Sequence, residues 1–150
     1  MRIVIQRCRR ASVSVAGETV GSVGTGMAVL VGVESGDSMD DAVWLAAKTA
    51  GLRIFSDAAG VMNLPLGEVD GRVLAVSQFT LTASTRKGNR PSYIRAARGA
   101  EASALYDAYC AEVERLTGTE VARGVFGADM QVEILNDGPV TIIIDSRLRE

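Results

Sequence analysis

The sequence MAVLVGV, residues 27–33, constrains the fold more than any other stretch of the chain. It is a continuous apolar run of strand length, and it is rich in valine, which favours extended backbone. A short uninterrupted run of this kind is typical of a strand that is buried on both faces. We therefore predict that residues 27–33 form a central strand of a sheet.

The sequence before this strand predicts a β-hairpin. Residues 2–6 alternate loosely between polar and apolar, and residues 12–16 alternate clearly. The segment Ala16-Gly17-Glu18 has turn composition and leads into a further strand at residues 19–23. Residues 12–16 and 19–23 are therefore expected to pair.

Helical signals occur twice after the central strand. Ser38 followed by Asp41 resembles a capping box, and helical apolar spacing continues to Gly51. A second helix is expected from about Glu101 to Leu116, with Gly118 after its end. Its apolar face should contain Ala104, Leu105, Ala108, Tyr109, Val113 and Leu116.

Shorter elements complete the predicted fold. Strands are expected at residues 53–56, 72–81, 131–135 and 140–144, and residues 57–71 are expected to form a long irregular loop. Residues 136–139, Asn-Asp-Gly-Pro, have the composition of a four-residue turn between the last two strands. The sum is an α+β fold with a mainly antiparallel or mixed sheet and two helices.

Length and composition exclude several classes of protein. The 150 residues suit one domain, residues 1–150, and an apolar content of 47% excludes a disordered chain. The apolar runs are far shorter than the roughly 20 residues that cross a bilayer, and the first ten residues contain arginines where a signal peptide needs an apolar region. We therefore expect a cytoplasmic protein with no membrane partner.

The chain has no histidine and only two cysteines, Cys8 and Cys110. Histidine-based triads and histidine zinc sites are therefore impossible, and two distant cysteines cannot form a four-cysteine zinc site. Because the spacing of the carboxylates marks no metal site either, we assign no metal and no cofactor. Catalysis must use hydroxyls, carboxylates, backbone amides or groups of the substrate, and both cysteines are interpreted as buried small hydrophobes.

Basic residues are concentrated in two segments, although the net charge of the chain is −2. Residues 1–17 and 71–100 together hold ten of the sixteen basic residues and no acidic residue. Nearly all are arginine, whose planar guanidinium suits bidentate contact with phosphate. In residues 85–91, TRKGNRP, a glycine inside the basic loop lets the backbone approach a phosphate closely. An anion-binding face and an ordinary solvated surface both fit this pattern.

Two segments place polar groups in apolar settings. The strand predicted at residues 72–81 ends in Ser77, Gln78 and Thr80, which can line a pocket or can satisfy backbone groups at the strand end. Residues 136–141 contain Gly138-Pro139. If this peptide bond is cis, its two carbonyls turn to the same side and form a rigid acceptor pair for an ammonium group.

Four segments together resemble one family. They are Ser77-Gln-Phe-Thr80-Leu, residues 85–92, Phe126-Gly-Ala-Asp-Met130 and Asn136-Asp-Gly-Pro-Val-Thr141. In order and type they are similar to those of D-aminoacyl-tRNA deacylases, and the similarity extends from Arg2 to Ser146. The SQFT and NxGPVT motifs are weak alone but specific in combination. The resemblance implies a homodimer with a barrel-like core of mixed or antiparallel sheets and two main helices.

The resemblance also implies an activity and roles for individual residues. Such enzymes hydrolyse the ester between a D-amino acid, or glycine, and the terminal adenosine of tRNA, so the expected partners are D-aminoacyl-tRNA and glycyl-tRNA. By position, Gly138-Pro139 enters the pocket of the other subunit, captures the substrate amino group and excludes L side chains, which puts the active site at the subunit interface. The residues expected at the reaction centre are Ser77, Gln78, Phe79 and Thr80. The expected supporting residues are Arg7, Met130, Asn136 and Thr141, and the expected tRNA phosphate contacts are Arg86, Lys87, Arg90, Arg95 and Arg98.

Such a reaction can proceed without histidine. An aminoacyl ester is already activated, and the 2′-OH of the terminal ribose can assist attack on its carbonyl. Backbone N–H groups near Phe79 and Thr80 can stabilise the oxyanion. Direct attack by Thr80 is the rival role, although a threonine hydroxyl without a neighbouring base is a poor nucleophile.

Three other functions stay open on the residues alone. The basic segments fit a small RNA-binding module that binds tRNA without turnover. Thr80 would suit a hydrolase of small amides or esters. The apolar strands also suit a structural dimerisation protein.

Overall fold

The computed structural model describes residues 1–149, which form a curved sheet covered by two α-helices. The strands are β1 (Arg2–Val15), β2 (Glu18–Val23), β3 (Gly26–Gly32), β4 (Phe55–Ser56), β5 (Met62–Leu64), β6 (Arg72–Ser77), β7 (Ala122–Arg123) and β8 (Gln131–Asp145). The α-helices are α1 (Met39–Gly51) and α2 (Gly99–Thr117), and short 3-10 helices occupy Leu66–Val69 and Phe79–Thr82.

The strand predicted at the centre of the sheet is confirmed as β3. It pairs antiparallel with β1, where Val31 faces Ile3, and parallel with β6, where Leu30 pairs with Val76. Every residue of β3 is buried except Leu30, which is half-buried. The main path of the sheet is β2-β1-β3-β6-β7, and β8 pairs with β1.

The sheet curls until its two ends approach each other. A Cβ placed on Gly21 of β2 would lie 2.8 Å from the carbonyl oxygen of Arg123 in β7. This close approach requires glycine, and it makes the sheet nearly closed and barrel-like. The predicted α+β class, with two main helices on a mixed sheet, is confirmed.

The long first and last strands differ from the predictions. The hairpin of residues 12–16 and 19–23 is confirmed, with Ser12 facing Ser22, but its first strand is continuous with residues 2–6 in the single strand β1. Residues 136–139 do not form a turn between two strands, because Gln131–Asp145 is one strand paired with β1. The pairing shifts register on both sides of Cys8, so the additional residues form an irregularity within β8.

Both predicted helices are confirmed. The Asp41 carboxylate at the start of α1 accepts hydrogen bonds from the N–H of Ser38 at 2.8 Å and from its hydroxyl at 2.9 Å. At the end of α2, Gly118 has a φ of 69° and donates its N–H to the carbonyl of Glu114 at 2.9 Å.

The buried face of α2 differs in part from the prediction. Ala104 and Leu116 are exposed, whereas Ala102, Tyr106 and Cys110 are buried. The buried face is broad because α2 packs against both α1 and the sheet, where the Tyr106 hydroxyl donates to the carbonyl of Ala75 at 3.0 Å.

Two further predictions need correction. Residues 57–71 are not wholly irregular, since they contain β5, which pairs with β4, and the first 3-10 helix. The strand predicted at residues 53–56 is shorter than expected, because β4 covers only Phe55–Ser56. The strand predicted at 72–81 ends at Ser77, where the chain turns into the second 3-10 helix. This turn is tied to the sheet, because Gln78 donates its N–H to the carbonyl of Val31 at 2.8 Å.

Cys8 and Cys110 are buried free thiols, as predicted. Burial raises the pKa of each thiol to about 11, so both stay protonated at neutral pH. Neither helix in residues 1–149 is long and apolar enough to cross a membrane.

Candidate active site

A cavity of about 570 Å³ lies at the carboxyl ends of β3 and β6. Because these strands are parallel, Val31 of β3 and Ser77 of β6 end on the same side of the sheet and form one wall. The segment 93–99 and the start of α2 form a second wall, and residues 126–130 form the third. Of the motifs singled out in the sequence, the cavity brings together SQF and FGADM.

The reaction-centre residues predicted from the sequence lie on or beside this cavity. Ser77, Gln78 and Phe79 line it, and Thr80 is adjacent, where its hydroxyl accepts a hydrogen bond from the side-chain amide of Gln78. Within the 3-10 helix Phe79–Thr82, the hydroxyl of the buried Thr82 donates a hydrogen bond to the carbonyl of Phe79 at 2.8 Å. The turn is therefore held by hydrogen bonds from within and from β3.

Aromatic rings form part of the rim. Phe79 is 55% exposed, and its ring meets that of Tyr93 edge-on with 5.1 Å between ring centroids. Phe126 lines the third wall, and its ring centroid lies 5.9 Å from that of the buried Tyr106. Tyr93 is half-buried, and an aromatic pair with one exposed ring at a pocket mouth suits contact with a flat apolar or heteroaromatic group.

The cavity contains few groups that could transfer protons. Its lining residues with titratable side chains are Tyr93, Arg98 and Asp129, and Asp129 is exposed at the rim. The inner wall offers hydroxyl, amide and backbone groups instead. Such a site can orient a substrate and stabilise an oxyanion, and it suits a substrate that is already activated.

Gly138-Pro139 does not line the cavity of its own chain. Both residues are exposed on β8, and the peptide bond between them is cis. Arg7 supports this segment: its Nε donates to the carbonyl of Asp137 at 3.0 Å, and its Nη1 donates to the carbonyl of Ile54 at 2.6 Å. The guanidinium lies so close to Gly138 that a Cβ there would be 2.9 Å from Nη2.

Asn136 and Thr141 flank the same segment and share one partner. The side-chain amide of Asn136 and the hydroxyl of Thr141 both donate to Oε1 of Gln6, the latter at 3.1 Å. The Asn136 side-chain oxygen also accepts the N–H of Val140 at 3.2 Å, which bridges the segment. Gln6 was not predicted as a supporting residue, and its position next to Arg7 on β1 is the signal that would have identified it.

Met130 lies apart from that support. It lines the cavity, and its sulfur is close to Gly124, at 2.6 Å from where a Cβ would stand. Within one chain, Arg7, Asn136 and Thr141 therefore surround Gly138-Pro139, whereas Met130 belongs to the pocket wall.

The basic residues of segment 71–100 fall into two groups. Arg86, Lys87 and Arg90 are exposed in a loop closed by mutual backbone hydrogen bonds between Ser84 and Ser92, and they form no ion pair within residues 1–149. Arg98 lines the cavity at the start of α2. Arg95 instead makes internal contacts, with Glu34 at 3.3 Å and with the carbonyl of Thr82 at 3.1 Å.

Comparison with known proteins places this chain in a family. A model of the D-Tyr-tRNA(Tyr) deacylase family matches residues 4–145. A protein from Akkermansia muciniphila named D-aminoacyl-tRNA deacylase is 57% identical over 150 residues, which is 100% of both chains. A protein of the same name from Dehalococcoides mccartyi is 57% identical over 149 residues, covering 99% of this chain and 97% of the relative.

Two solved structures have the same fold. One is named c-Myc DNA Unwinding Element Binding Protein. It superposes with a TM-score of 0.90 at 35% identity, and the matched region covers 97% of this chain and 98% of the chain of that structure. The other is described as a probable eukaryotic D-amino acid tRNA deacylase. It superposes with a TM-score of 0.81 at 18% identity, and the matched region covers 95% of this chain and 97% of the chain of that structure. At that lower identity the likeness establishes the fold alone.

The family model and the full-length relatives assign the chain to the deacylases, a class of hydrolases. The chain belongs to the D-Tyr-tRNA(Tyr) deacylase family, because the family model spans nearly all of it and relatives 57% identical match it over their full length. The resemblance inferred from the sequence motifs is therefore confirmed.

Proposed function

We propose that this protein hydrolyses the ester between a D-amino acid and the terminal adenosine of tRNA, releasing the free amino acid and tRNA. The observation that carries the proposal is the cavity at the carboxyl ends of β3 and β6, where the SQF and FGADM residues meet around hydroxyl, amide and backbone groups. The relatives named D-aminoacyl-tRNA deacylase support the same assignment.

The substrate supplies part of the chemistry. Water attacks the ester carbonyl with assistance from the vicinal 2′-OH, and the tetrahedral intermediate collapses as the 3′ oxygen of the ribose leaves with the proton that the water has lost. Backbone N–H groups near Phe79 and Thr80 stabilise the oxyanion, a kind of contact worth about 10²–10³ in rate. Thr80 is a positioning or oxyanion group rather than the nucleophile, because no lining residue is suited to activate its hydroxyl.

We further propose that the active site is completed by a second copy of the chain. Gly138 and Pro139 are exposed and lie outside their own cavity, while Arg7 and the Asn136–Gln6–Thr141 hydrogen bonds hold them in a defined conformation. Their strand, β8, pairs only with β1 within residues 1–149, and it exposes Leu135 and Ile143. Such an edge suits association of two copies.

Chiral selection follows from this arrangement. The Gly138-Pro139 carbonyls of one copy capture the substrate ammonium in the pocket of the other, and the pocket fixes the ester carbonyl and the ribose. The side chain then has one free direction, and an L side chain meets backbone, so its rejection is steric. Glycine has no side chain to reject, so glycyl-tRNA is also a substrate.

The proposed tRNA phosphate contacts are Arg86, Lys87, Arg90 and Arg98. The first three form an exposed basic loop, and Arg98 links that surface to the cavity. Substrate of this kind is present in the cytoplasm, which is the proposed location.

The test is hydrolysis of D-tyrosyl-tRNA by sub-stoichiometric purified protein, with L-tyrosyl-tRNA and D-tyrosine ethyl ester as parallel substrates. We expect multiple turnovers on D-tyrosyl-tRNA and rates near the uncatalysed background on the other two. Binding of tRNA without hydrolysis would instead identify an RNA-binding module. Comparable turnover of the small ester would identify a general esterase.

A further inference from the structure

We infer that Arg2 and Arg95 are positioning residues for the deacylation reaction, which together hold the carboxyl end of the 3-10 helix Phe79–Thr82. Arg2 Nη1 donates to the carbonyl of Leu81 at 3.0 Å. Arg95 donates to the next carbonyl, that of Thr82, through Nε at 3.3 Å and Nη2 at 3.1 Å. Two consecutive carbonyls at the end of this turn are thus held by two guanidinium groups from distant parts of the chain.

Each of these arginines is itself fixed by a carboxylate. Arg2 donates both Nε and Nη2 to Oδ2 of Asp145, at 2.9 and 2.7 Å, which joins the start of β1 to the end of β8. Arg95 pairs with Glu34, which directly follows the central segment and has a side chain only 10% exposed. The Arg2 guanidinium is held by a carboxylate through Nε and Nη2 and donates to a carbonyl through Nη1, so it has little rotational freedom. In Arg95, Nη2 contacts both Glu34 and the carbonyl of Thr82.

Glu34 is in turn held by contacts with Arg147 and Asp37. Its second carboxylate oxygen pairs with Arg147 at 3.0 Å, and Arg147 also pairs with the fully buried Asp37 at 2.9 Å. The N–H of Glu34 donates to the Asp37 carboxylate at 2.6 Å. Arg95, whose side chain is 49% exposed, is therefore part of a connected charge network, whereas the loop cations Arg86, Lys87 and Arg90 form no ion pair within residues 1–149.

The held turn carries the groups that the reaction needs. Gln78 precedes it, Phe79 and Thr80 begin it, and Leu81 and Thr82 end it, so a shift of its end moves the groups proposed to contact the ester. Misplacing a catalytic group by about 1 Å can lower a rate by on the order of 10²-fold. These roles rest on the proposed deacylase function, and they give Arg95 a task other than contact with tRNA phosphate.

The test compares Arg95→Lys and Glu34→Gln with the wild type in steady-state hydrolysis of D-tyrosyl-tRNA at several salt concentrations. In Arg95→Lys, lysine keeps the positive charge that a phosphate contact needs but lacks the planar guanidinium. Glu34 is an anion and cannot itself bind phosphate, so Glu34→Gln removes only the support of Arg95. We expect both variants to lower kcat by on the order of 10-fold or more, with KM and the salt dependence of kcat/KM close to those of the wild type. Arg2→Lys should behave in the same way.

Two controls make the outcome decisive. Arg115→Gln removes another arginine–carboxylate contact, with Glu112 at 2.6 Å on the exposed side of α2, and should leave kcat and KM unchanged. Arg90→Gln should raise KM and reduce the salt slope. The inference is overturned if Arg95→Lys keeps the wild-type kcat, or if it changes KM and the salt slope as Arg90→Gln does. A wild type that is itself inactive would contradict the proposed function instead.

Discussion

At the scale of single residues, the proposed mechanism depends on the placement of weakly reactive groups. Histidine is absent from the chain, and the pocket wall presents Ser77, Gln78 and the backbone of the following turn. The cavity therefore has few side chains that could donate or accept a proton. Residue replacements should therefore affect the rate through geometry more often than through loss of a base or nucleophile.

Replacing Thr80 by alanine tests whether this residue is the nucleophile. If the 2′-OH of the substrate assists the attack, Thr80→Ala keeps the backbone N–H groups proposed to stabilise the oxyanion and loses only the hydroxyl contact with Gln78. The kcat should then fall by about tenfold or less. Loss of a true nucleophile would lower kcat by about 10⁴-fold or more. Single-turnover hydrolysis of D-tyrosyl-tRNA measures the difference. Complete loss of hydrolysis with intact tRNA binding would contradict the substrate-assisted route.

Gly32 tests how closely β3 must approach the turn. A Cβ at this position would stand 2.9 Å from Cβ of Leu81 and 3.0 Å from the carbonyl oxygen of Gln78. Gly32→Ala should therefore lower the free energy of unfolding by about 1–3 kcal/mol and reduce kcat, because it displaces the turn. Gly24→Ala is the matched control, since nothing lies within 4 Å of the place where its Cβ would stand. Equal urea midpoints for the two variants would refute this close packing.

At the scale of elements, apolar patterning predicted more than turn composition did. The run at residues 27–33 and the spacing in both helices depend on burial, and each appears in the fold as β3, α1 and α2. The segment 136–139 has turn residues but lies within one long strand, because β8 stays paired with β1 on both sides of it and the additional residues form an irregularity within β8. Local composition carries no information about the length of the partner strand.

The candidate site was also predicted only in part. The SQFT and NxGPVT motifs identified residues that lie at the cavity and on β8. The early end of β6 at Ser77 was missed, because Phe79 and Leu81 continue an apolar alternation through the turn. The internal role of Arg95 was also missed, since a basic segment without acids does not reveal a carboxylate such as Glu34 brought from elsewhere in the chain.

The ion pair joining the ends of β1 and β8 predicts a pH dependence of stability. Burial raises the pKa of Asp145, but hydrogen bonds from the Arg147 N–H and from Arg2 outweigh it, so the pKa is lowered on balance. A carboxyl with a lowered folded pKa stabilises the fold above its unfolded pKa of about 3.9, and this contribution disappears as pH falls through the folded value.

We therefore expect Asp145→Asn to lower the free energy of unfolding by about 1–3 kcal/mol at pH 7. The difference from the wild type should shrink as pH falls below about 4, where the wild-type carboxyl also becomes neutral. Urea unfolding of both proteins from pH 3 to pH 7 measures this. A difference that is independent of pH would contradict a role for the charged carboxylate.

At the scale of the whole molecule, the pocket and the Gly138-Pro139 segment lie on different parts of one chain. The pocket opens at the carboxyl ends of β3 and β6, whereas the segment is exposed on β8. A single copy therefore offers both halves of the proposed site without uniting them. Two copies related by symmetry would unite each pocket with the other copy's segment.

Mixing two inactive variants tests this division. Gly138→Val strains a residue whose φ is 123° and crowds Arg7, so it should disable the segment, and Gln78→Ala should disable the pocket. Each variant alone should lose most activity. After co-refolding in equal amounts, about a quarter of the sites should combine an intact pocket with an intact segment and regain activity. If no activity returns although mixed dimers form, the segment does not act across the interface.

Chiral hydrolysis of aminoacyl-tRNA can be measured in a single competition assay. D-tyrosyl-tRNA and L-tyrosyl-tRNA carrying different isotopes are mixed in one tube with sub-stoichiometric protein, and release of each label is followed over time. We predict that the D label is released over many turnovers while the L label is lost only at the rate without protein. Release of both labels at equal rates, or of neither above background, would contradict the account.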